Sequence, residues 1–547
     1  MNLLYSKTNL KHQVCKIGVI LTILLGLTIG CKEEQKNEPK IPQKMEQNNL
    51  KIENRVFYNV FIRSFFDSNG DGIGDLNGIT EKLEYLKRLG INGLWLSPLH
   101  PSDSYHKYDV KSYKEIDPEY GTLEDFKNLI EEAHKRDIVV LIDLVINHTD
   151  DNHPWFQKAV TGDSYYRKFY HWQKKENVIA DESHWHAQPS DGGINQSDEL
   201  FYSFFGNGMP DLNYDYQPVR DEVKKIAKYW LDFGVDGFRI DAALHIYPFY
   251  VEESDRNMWK SISWWQEFSA YVKTVKPHVF LVGEVWENES VASEFAKNAI
   301  NNFNFSLSEK LMNILKNEQD TEATAKWLSN YQDEIKKIRP DFVDAIFLSN
   351  HDQNRVASQL NGDLEQLKQA ASIMMTLPGV PFLYYGEEIG MMGQKPDERI
   401  REPMIWYEPG TTAKGQTKWE PIEYNIPSKI KSAAAQWKDS TSLLNHYKQL
   451  IFMRQTQPAF TYGEFSWLNF EGQPKPLFAY VRKLGDRIFF NFHNLSSKPI
   501  SFGWIPIDVG GVEYDYKGDI EYTTEKTTIT IQGYGTLILK SKDEQKN

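Results

Sequence analysis

Charged side chains stand at the ends of several short apolar runs. Arg239 and Asp241 close the run 235–241, and Glu284 closes a second run just before Trp286. Residues two apart on a strand point to the same face, so Arg239 and Asp241 should be neighbours. We expect the guanidinium to keep Asp241 ionised and to lower its pKa. Apolar surroundings should instead raise the pKa of Glu284.

Two carboxylates in unlike environments that face one cavity are suited to glycosidic bond cleavage. The ionised one serves as nucleophile and the protonated one as general acid. A separation of roughly 5–5.5 Å between them would predict retention of configuration. Asp352, at the end of a third run, would stabilise positive charge in the transition state. An ion pair or helix cap explains any one of these residues alone, but several such strand ends together favour a catalytic site.

The elements that must position these residues alternate between apolar runs and amphipathic stretches such as 78–89. This alternation predicts a (β/α)₈ barrel, a TIM barrel, whose active site lies at the carboxyl ends of the strands. No G-x-G-x-x-G motif follows the first run, which argues against a doubly wound sheet. The eight predicted strands are 56–65, 93–99, 138–147, 235–241, 279–286, 303–307, 345–350 and 380–385.

Two further regions do not follow the barrel rhythm. Residues 149–213 are rich in Trp, Tyr and His without helical periodicity, so they predict a domain inserted after strand three. The barrel would then consist of residues 52–148 and 214–450. Residues 451–547 change to short strands and turns, which predicts a C-terminal all-β sandwich domain. Its predicted strands are 476–482, 487–492, 527–531 and 536–539.

Composition limits the classes of partner. A net charge of −14 over 547 residues argues against nucleic-acid binding, because phosphate neutralisation needs clustered Lys and Arg. The 15 Trp, 29 Tyr and 30 Phe indicate either a large core or flat surfaces for a neutral, ring-shaped ligand such as a sugar.

The N-terminus predicts export. Three lysines and no acidic residue precede the apolar run 17–30, which is shorter than the roughly 20 residues that span a bilayer. Residues 1–30 are therefore predicted to be a secretory signal. The run ends at Cys31 in a sequence that resembles a bacterial lipobox, which implies lipidation of Cys31. Polar residues 31–51 would be a tether that holds the protein at the cell envelope, the outer membrane or the cell surface.

Four segments carry a resemblance to a known family. Segments 143–148, 237–245, 283–286 and 347–352 resemble the motifs of glycoside hydrolase family 13, the α-amylase family. The resemblance extends over nearly all residues from about 52 to 540. It implies that Asp241 is the nucleophile, Glu284 the acid/base and Asp352 the stabiliser. It also implies substrate contacts by Tyr108, which stacks on the sugar, by His148 and His351, which bind its hydroxyls, and by Arg239, which orients Asp241.

The same resemblance implies an α-glucan substrate, such as starch or maltooligosaccharides. Exo-acting relatives carry an Asp three residues before the stacking tyrosine, with Arg355 at the position of its partner. This chain has Tyr105 there, which favours endo action on α-1,4 bonds. Lys107 replaces the Gly that usually precedes Tyr108. Segment 209–213 resembles a signature found in bacterial lipoprotein α-amylases.

Two alternatives stay open at this point. One is a family 13 enzyme that acts on α-1,6 bonds or transfers glucan, like oligo-1,6-glucosidases and neopullulanases. The other is a non-catalytic, glucan-binding surface lipoprotein, which the intact set of carboxylates disfavours.

The loop 67–75 places oxygen ligands at alternate positions. It begins like an EF-hand, but its twelfth position is Gly78 instead of Glu. Relatives bind calcium in this loop, and Asn147 and His245 match a second calcium site in many α-amylases. A turn stabilised by Asp and Asn side chains without metal is the alternative. The predicted Ca²⁺ ligands are Asp67, Asn69, Asp71, the Ile73 carbonyl and Asp75.

Overall fold

The computed structural model describes residues 52–178, 182–187, 189–190, 193–194, 198–248, 254–408, 410, 414–504, 509–522 and 527–541. The predicted signal 1–30, the lipidation site Cys31 and the tether 31–51 lie outside the described residues. None of the helices in the described ranges has the length and apolar character needed to cross a membrane.

Eight parallel strands form a nearly closed barrel, which confirms the predicted fold class. The strands are β1 (Phe57–Val60), β2 (Gly93–Leu96), β3 (Val139–Leu144), β4 (Gly237–Ile240), β5 (Phe280–Gly283), β6 (Asn301–Asn302), β7 (Ala345–Phe347) and β8 (Val380–Tyr384). Their order around the barrel is β6-β5-β4-β3-β2-β1-β8-β7, and a single parallel bridge from Phe303 to Ala345 joins the two edges.

Strand β3 shows how the sequence builds two apolar layers. Val139 and Leu141 belong to the core inside the barrel, whereas Val140 and Ile142 pack in the layer between strands and helices. This alternation follows from the two-residue repeat of a strand. Asp143 is the next inward position, so β3 carries a carboxylate to the end of the barrel where the strands terminate.

The helices around the barrel pack apolar stripes on the strands. Leu76–Leu89 begins after Asp75, whose side chain accepts a hydrogen bond from the Gly78 amide, and ends at Gly90 in the left-handed region. The other long helices are Leu123–Lys135, Gln217–Phe233, Ser254–Val275, Glu289–Asn298, Phe305–Asn317, Thr324–Ile338, Leu364–Thr376 and Leu443–Thr456. Shorter ones are Ile62–Phe65, Val356–Gln359, Asp397–Ile400, Ala433–Gln436 and Pro458–Tyr462.

The predicted sixth strand, 303–307, was wrong. The strand is only Asn301–Asn302, and a helix begins at Phe305. Asn304 ends the extended segment because its side chain accepts a hydrogen bond from the Leu307 amide at 2.9 Å and caps the helix. The alternating Phe303 and Phe305, which suggested a strand, both face the barrel interior.

The segment between β3 and β4 contains its own small sheets. Three antiparallel strands pair in the order Trp172–Lys174, Glu199–Tyr202, Trp185–Ala187. A second pair joins Pro189–Ser190 to Gly193–Ile194. A helix over Pro154–Val160, which the sequence did not predict, starts this segment.

A six-stranded antiparallel sheet follows the barrel, as predicted for the C-terminal region. The predicted strands 527–531 and 536–539 are two halves of one strand that pair with different partners. Helix Leu443–Thr456 runs through the predicted boundary at 450, and the first strand begins at Glu464. The strands are β9 (Glu464–Trp467), β10 (Leu477–Leu484), β11 (Arg487–Asn494), β12 (Ile500–Trp504), β13 (Val509–Tyr522) and β14 (Thr527–Ser541).

Candidate active site

A cleft of about 420 Å³ opens where the barrel strands end. The three predicted catalytic carboxylates, Asp241, Glu284 and Asp352, all line it, as do Tyr108 and His148. The fold therefore brings together residues that are far apart in the sequence, since Tyr108 and Asp352 line one pocket.

The guanidinium of Arg239 lies at the centre of the carboxylates. Its Nη1 donates to Asp143 at 2.5 Å and to Asp241 at 2.6 Å, and its Nη2 donates to Glu284 at 2.6 Å. Trp95 donates its indole N–H to the other oxygen of Asp143 at 2.9 Å. One fully buried cation thus orients the predicted nucleophile and the predicted acid/base together.

Burial sets the ionisation of this pair. It raises the pKa of Asp241 to about 6, because the opposing effect of Arg239 is smaller. The predicted lowering was therefore wrong, because Arg239 divides its charge among three carboxylates and the effect of burial is larger. Burial raises the pKa of Glu284 further, to about 7, again against Arg239. Both pKa values are raised, and the raised pKa of Glu284 suits the proton donor that the sequence predicts.

The turn after Asp241 holds Glu284 in place. The Ala242 amide donates to Glu284 Oε2 at 3.2 Å, and the Ala243 amide donates to the Glu284 carbonyl at 3.0 Å. Ala242 has a φ of 46°, in the left-handed region that side chains other than Gly seldom adopt. The backbone conformation at the nucleophile and the carboxylate on the next strand are therefore linked.

Asp352 is held on the opposite side of the cleft. One of its oxygens accepts from Arg401 at 2.9 Å, and the other lies 3.0 Å from Nε2 of His351. That nitrogen is also 2.5 Å from the hydroxyl of Tyr108. Burial alone would raise the pKa of Asp352, but His351 and Arg401 outweigh it and lower the pKa below its usual value. Asp352 is therefore ionised and suited to stabilise positive charge.

Arg401 is a site residue that the sequence analysis missed. It contacts the hydroxyl of Tyr105 at 3.1 Å and lines the cleft. Arg355, which we expected opposite position 105, instead donates to the carbonyls of Tyr385 and Ile400 and is buried. Arg401 follows the last strand in a loop, where no strand or helix period predicts the direction of a side chain.

The departure at Lys107 has a structural explanation. Its side chain is buried outside the cleft, and its Nζ contacts Asp117 at 2.9 Å and Glu119 at 2.8 Å. Its φ of 66° is the conformation that Gly adopts easily, so Lys107 keeps the turn while its ammonium pairs with two acids. The neighbouring Tyr108 carbonyl lies 3.1 Å from Nε2 of His148, which fixes that ring.

Aromatic rings form the open wall of the cleft. Trp286 is 49% exposed and stacks on Phe305, with ring centroids 4.8 Å apart. Phe205 is also exposed, and Phe204 stacks on the ring of His245 at 4.1 Å. These side chains offer flat apolar surface beside the carboxylates, which suits a sugar ring.

The loop 67–75 is closed by its own side chains. Asp67 accepts from the amides of Gly70 and Gly72, and Asp71 accepts from that of Ile73. Asp75 accepts from Ser68 and caps the following helix. All the predicted ligand atoms of this loop are oxygens, which fits a hard cation. Among the described residues, however, no three His, Cys, Asp or Glu side chains converge as a metal site.

The structure supplies an acidic neighbour for Asn147 that the sequence did not identify. Asp211, from the inserted segment, is buried and hydrogen-bonded to the Asn147 side chain. Burial raises its pKa to about 8, and the Asn147 carbonyl oxygen Oδ1 lies buried with no hydrogen-bond partner in the described chain. These oxygens suit a hard cation, whereas the ring of His245 packs in the cleft wall.

Comparison with known proteins agrees with the fold. Residues 59–463 match the family described as "Alpha amylase, catalytic domain". The chain is 43% identical over 492 residues to Alpha-amylase 3 of Dictyoglomus thermophilum, which covers 89% of this chain and 93% of that protein. It is 34% identical over 456 residues to the 4-alpha-glucanotransferase of Thermotoga maritima, covering 82% and 97%. The crystal structure of the α-amylase from H. orenii matches with a TM-score of 0.79 and 40% identity, covering 89% and 99%.

The chain therefore belongs to the α-amylase family of glycoside hydrolases. Since its relatives include both a named amylase and a named glucanotransferase, family membership leaves the specific activity to be argued from the site.

Proposed function

We propose that this chain is a retaining, endo-acting hydrolase of α-1,4 bonds in starch and maltooligosaccharides. The observation that carries the proposal is the bridge from Arg239 to both Asp241 and Glu284 inside the cleft. Asp241 attacks the anomeric carbon while Glu284 gives its proton to the departing glycosidic oxygen. Glu284 then takes a proton from the water that releases the sugar from Asp241.

Endo action is supported by the wall around Tyr105. A carboxylate at this position would be needed to hold the terminal hydroxyls of a glucan, and Tyr105 is neutral. Arg401 is already engaged by Asp352 at 2.9 Å and by Asp397 at 3.2 Å. Position 105 therefore carries no charge that would select the end of a glucan chain.

The test is cleavage of a maltoheptaoside whose non-reducing end is blocked by an ethylidene group. An endo enzyme cuts it internally, and proton NMR of fresh products should show the α-anomer first. Asp241→Asn serves as the inactive control. Release of glucose from unblocked chains only, or β-anomer as first product, would contradict the proposal.

Glucan transfer is the second candidate, supported by the 4-alpha-glucanotransferase of Thermotoga maritima among the relatives. The exposed faces of Trp286 and Phe205 offer apolar surface on which an acceptor sugar could replace water. Incubation with maltotetraose alone separates the two activities. Early products longer than the substrate would identify a transferase, whereas shorter products only would identify a hydrolase. Pullulan, incubated in parallel, tests the α-1,6 alternative.

We further propose that Ca²⁺ binds the oxygen donors of loop 67–75, and that a second ion is held by Asn147 and Asp211. Removal of calcium by EDTA should lower the melting temperature, and added Ca²⁺ should restore it. In the Asp71→Ala variant, the part of the change in melting temperature that comes from the loop site should disappear. An unchanged transition in EDTA would contradict both sites.

Export and lipid anchoring through Cys31 is also a proposal. It is supported by the short apolar run 17–30 and the polar residues that follow. The wild-type protein should fractionate with membranes and incorporate labelled fatty acid, whereas Cys31→Ser should do neither. Equal release of both forms into the soluble fraction would contradict the anchor.

A further inference from the structure

A second groove lies between the barrel and the C-terminal sheet. It has a volume of about 290 Å³ and is formed by the start of helix Thr324–Ile338 together with β9 and β10. None of the catalytic residues lines it. This size is at the lower limit of typical ligand sites and is enough for roughly one to two sugar rings.

The wall of this groove contains an exposed indole. Trp467 is 41% exposed although it lies in a strand, and the ammonium of Lys326 is 5.3 Å from its ring centroid. The cation lies close enough to attract the π system of the ring. Covering an exposed apolar ring with a ligand removes its surface from water, which favours binding.

Polar groups stand beside this ring. Gln473 donates its amide N–H to the carbonyl of Leu477 at 3.0 Å, but its Oε1 is buried with no partner in the described chain. A buried carbonyl oxygen without a donor is unfavourable, and a sugar hydroxyl would satisfy it. Asp320 and the exposed Asn469 add acceptors and donors at the same rim.

We propose that this groove binds a short stretch of α-glucan at a distance from the catalytic cleft. A glucose ring has an apolar face, which packs on an indole, and a rim of hydroxyls, which bind amides and carboxylates. The lining is not uniformly basic, since Asp320 lies there with Lys326 and Lys475, and we therefore propose a neutral ligand. The proposal rests on the proposed function, since it takes the same polymer as the ligand.

The physical consequence is retention of the polymer. A chain held in the groove raises the local concentration of its other segments at the cleft, without any change at the carboxylates. Long or insoluble starch should gain from this effect, whereas an oligosaccharide too short to be held at both places should not.

The experiment compares Trp467→Ala with Trp259→Ala, a control that removes an indole of similar exposure (47%) outside the groove. Binding is measured by migration of the full chain in native gels that contain amylopectin, with Asp241→Asn in all variants to prevent cleavage. Trp467→Ala should bind about threefold or more weakly, Trp259→Ala should be unchanged, and Trp467→Phe should be intermediate. In active chains, Trp467→Ala should lose about threefold or more on starch granules while kcat/KM on a maltotrioside stays within about twofold.

Equal behaviour of the two alanine variants in both assays would overturn the glucan site. Retardation by dextran sulfate that depends on Trp467, without retardation by amylopectin, would also overturn it and identify an anion site. If the wild-type chain acts on no α-glucan at all, the proposed function fails, but the gel assay still decides the groove because it needs no catalysis.

Discussion

The barrel interior differs between its lower half, at the amino ends of the strands, and its upper half, at their carboxyl ends. In the lower half, the rings of Phe57 and Phe382 stack with centroids 4.5 Å apart, and Phe280 stacks on Phe57 at 5.9 Å. In the upper half, Arg239 contacts Asp143 and two further carboxylates within 2.6 Å. Both halves are buried and are built from the same strands.

The difference shows how one scaffold separates stability from chemistry. Packing of neutral rings stabilises the fold to the same extent at any pH. The upper half instead holds carboxyl groups whose pKa values burial raises, so ionisation of these groups disfavours the folded state as the pH rises. The same raised pKa keeps a carboxyl group protonated and able to donate a proton.

The largest effect is expected from Asp241→Asn. The amide keeps an acceptor for Arg239 but cannot form a bond to the anomeric carbon, so kcat on maltoheptaose should fall by about 10⁴-fold or more. Circular dichroism and the melting temperature should show a folded protein. A variant that retains more than about a tenth of wild-type kcat would remove Asp241 from the role of nucleophile.

In the lower half, Phe382→Ala should act on stability alone. Loss of a ring from the stack should reduce the free energy of unfolding by about 3–5 kcal/mol, as measured by chemical denaturation. The kcat per folded molecule should stay near that of the wild type. A large loss of kcat with unchanged stability would show that the two halves are not independent.

Glu284→Gln should change the pH dependence of stability. The pKa of Glu284 is raised from 4.5 to about 7, so its contribution to stability is complete below pH 4.5 and is lost as the pH rises towards 7. The wild type should therefore lose on the order of 1–3 kcal/mol relative to the variant over this range. Denaturant unfolding at several pH values measures the difference, with Glu464→Gln as an exposed control; a constant difference would contradict the shift.

The smallest effect concerns Asp143, which contacts Arg239 in the upper half. Its charge helps to raise the pKa of Asp241, so Asp143→Asn should lower that pKa. The acid limb of the kcat/KM profile should move to lower pH by about one unit or less. Movement to higher pH would mean that Arg239 has left Asp241 in the variant.

Most of the barrel could be predicted from local pattern because each strand is a short apolar run bounded by turns. The exceptions have local causes. The cap at Asn304 turned an apparent strand into a helix. In the C-terminal sheet, the two predicted strands 527–531 and 536–539 form one strand, β14, whose halves pair with β12 and β11 and both pair with β13. Neither hydrogen bonding by a cap nor the identity of a pairing partner is visible in hydrophobic periodicity.

The site shows the same limit. Residues at strand ends, such as Asp241 and Glu284, were placed correctly in one cleft because a barrel brings all its strand ends together. Arg401 was missed because it stands in a loop, and the pKa of Asp241 was predicted in the wrong direction. Burial depends on the whole fold, so an adjacent arginine in the sequence does not determine the charge state.

The single bridge between Phe303 and Ala345 lies between the proposed catalytic residues and bears on how they can move relative to each other. β4 and β5, which lead to Asp241 and Glu284, share four paired positions, whereas the barrel closes through one bridge and the bond from the Asn304 amide to Ala345. Asp352 follows β7, beyond this seam. Local opening begins where few backbone bonds resist it, so a fluctuation at the seam would move Asp352 away while leaving Asp241 and Glu284, the proposed nucleophile and acid, together. Arg401, which follows β8, contacts Asp352. This contact therefore restrains local opening of the barrel in addition to pairing the two charges.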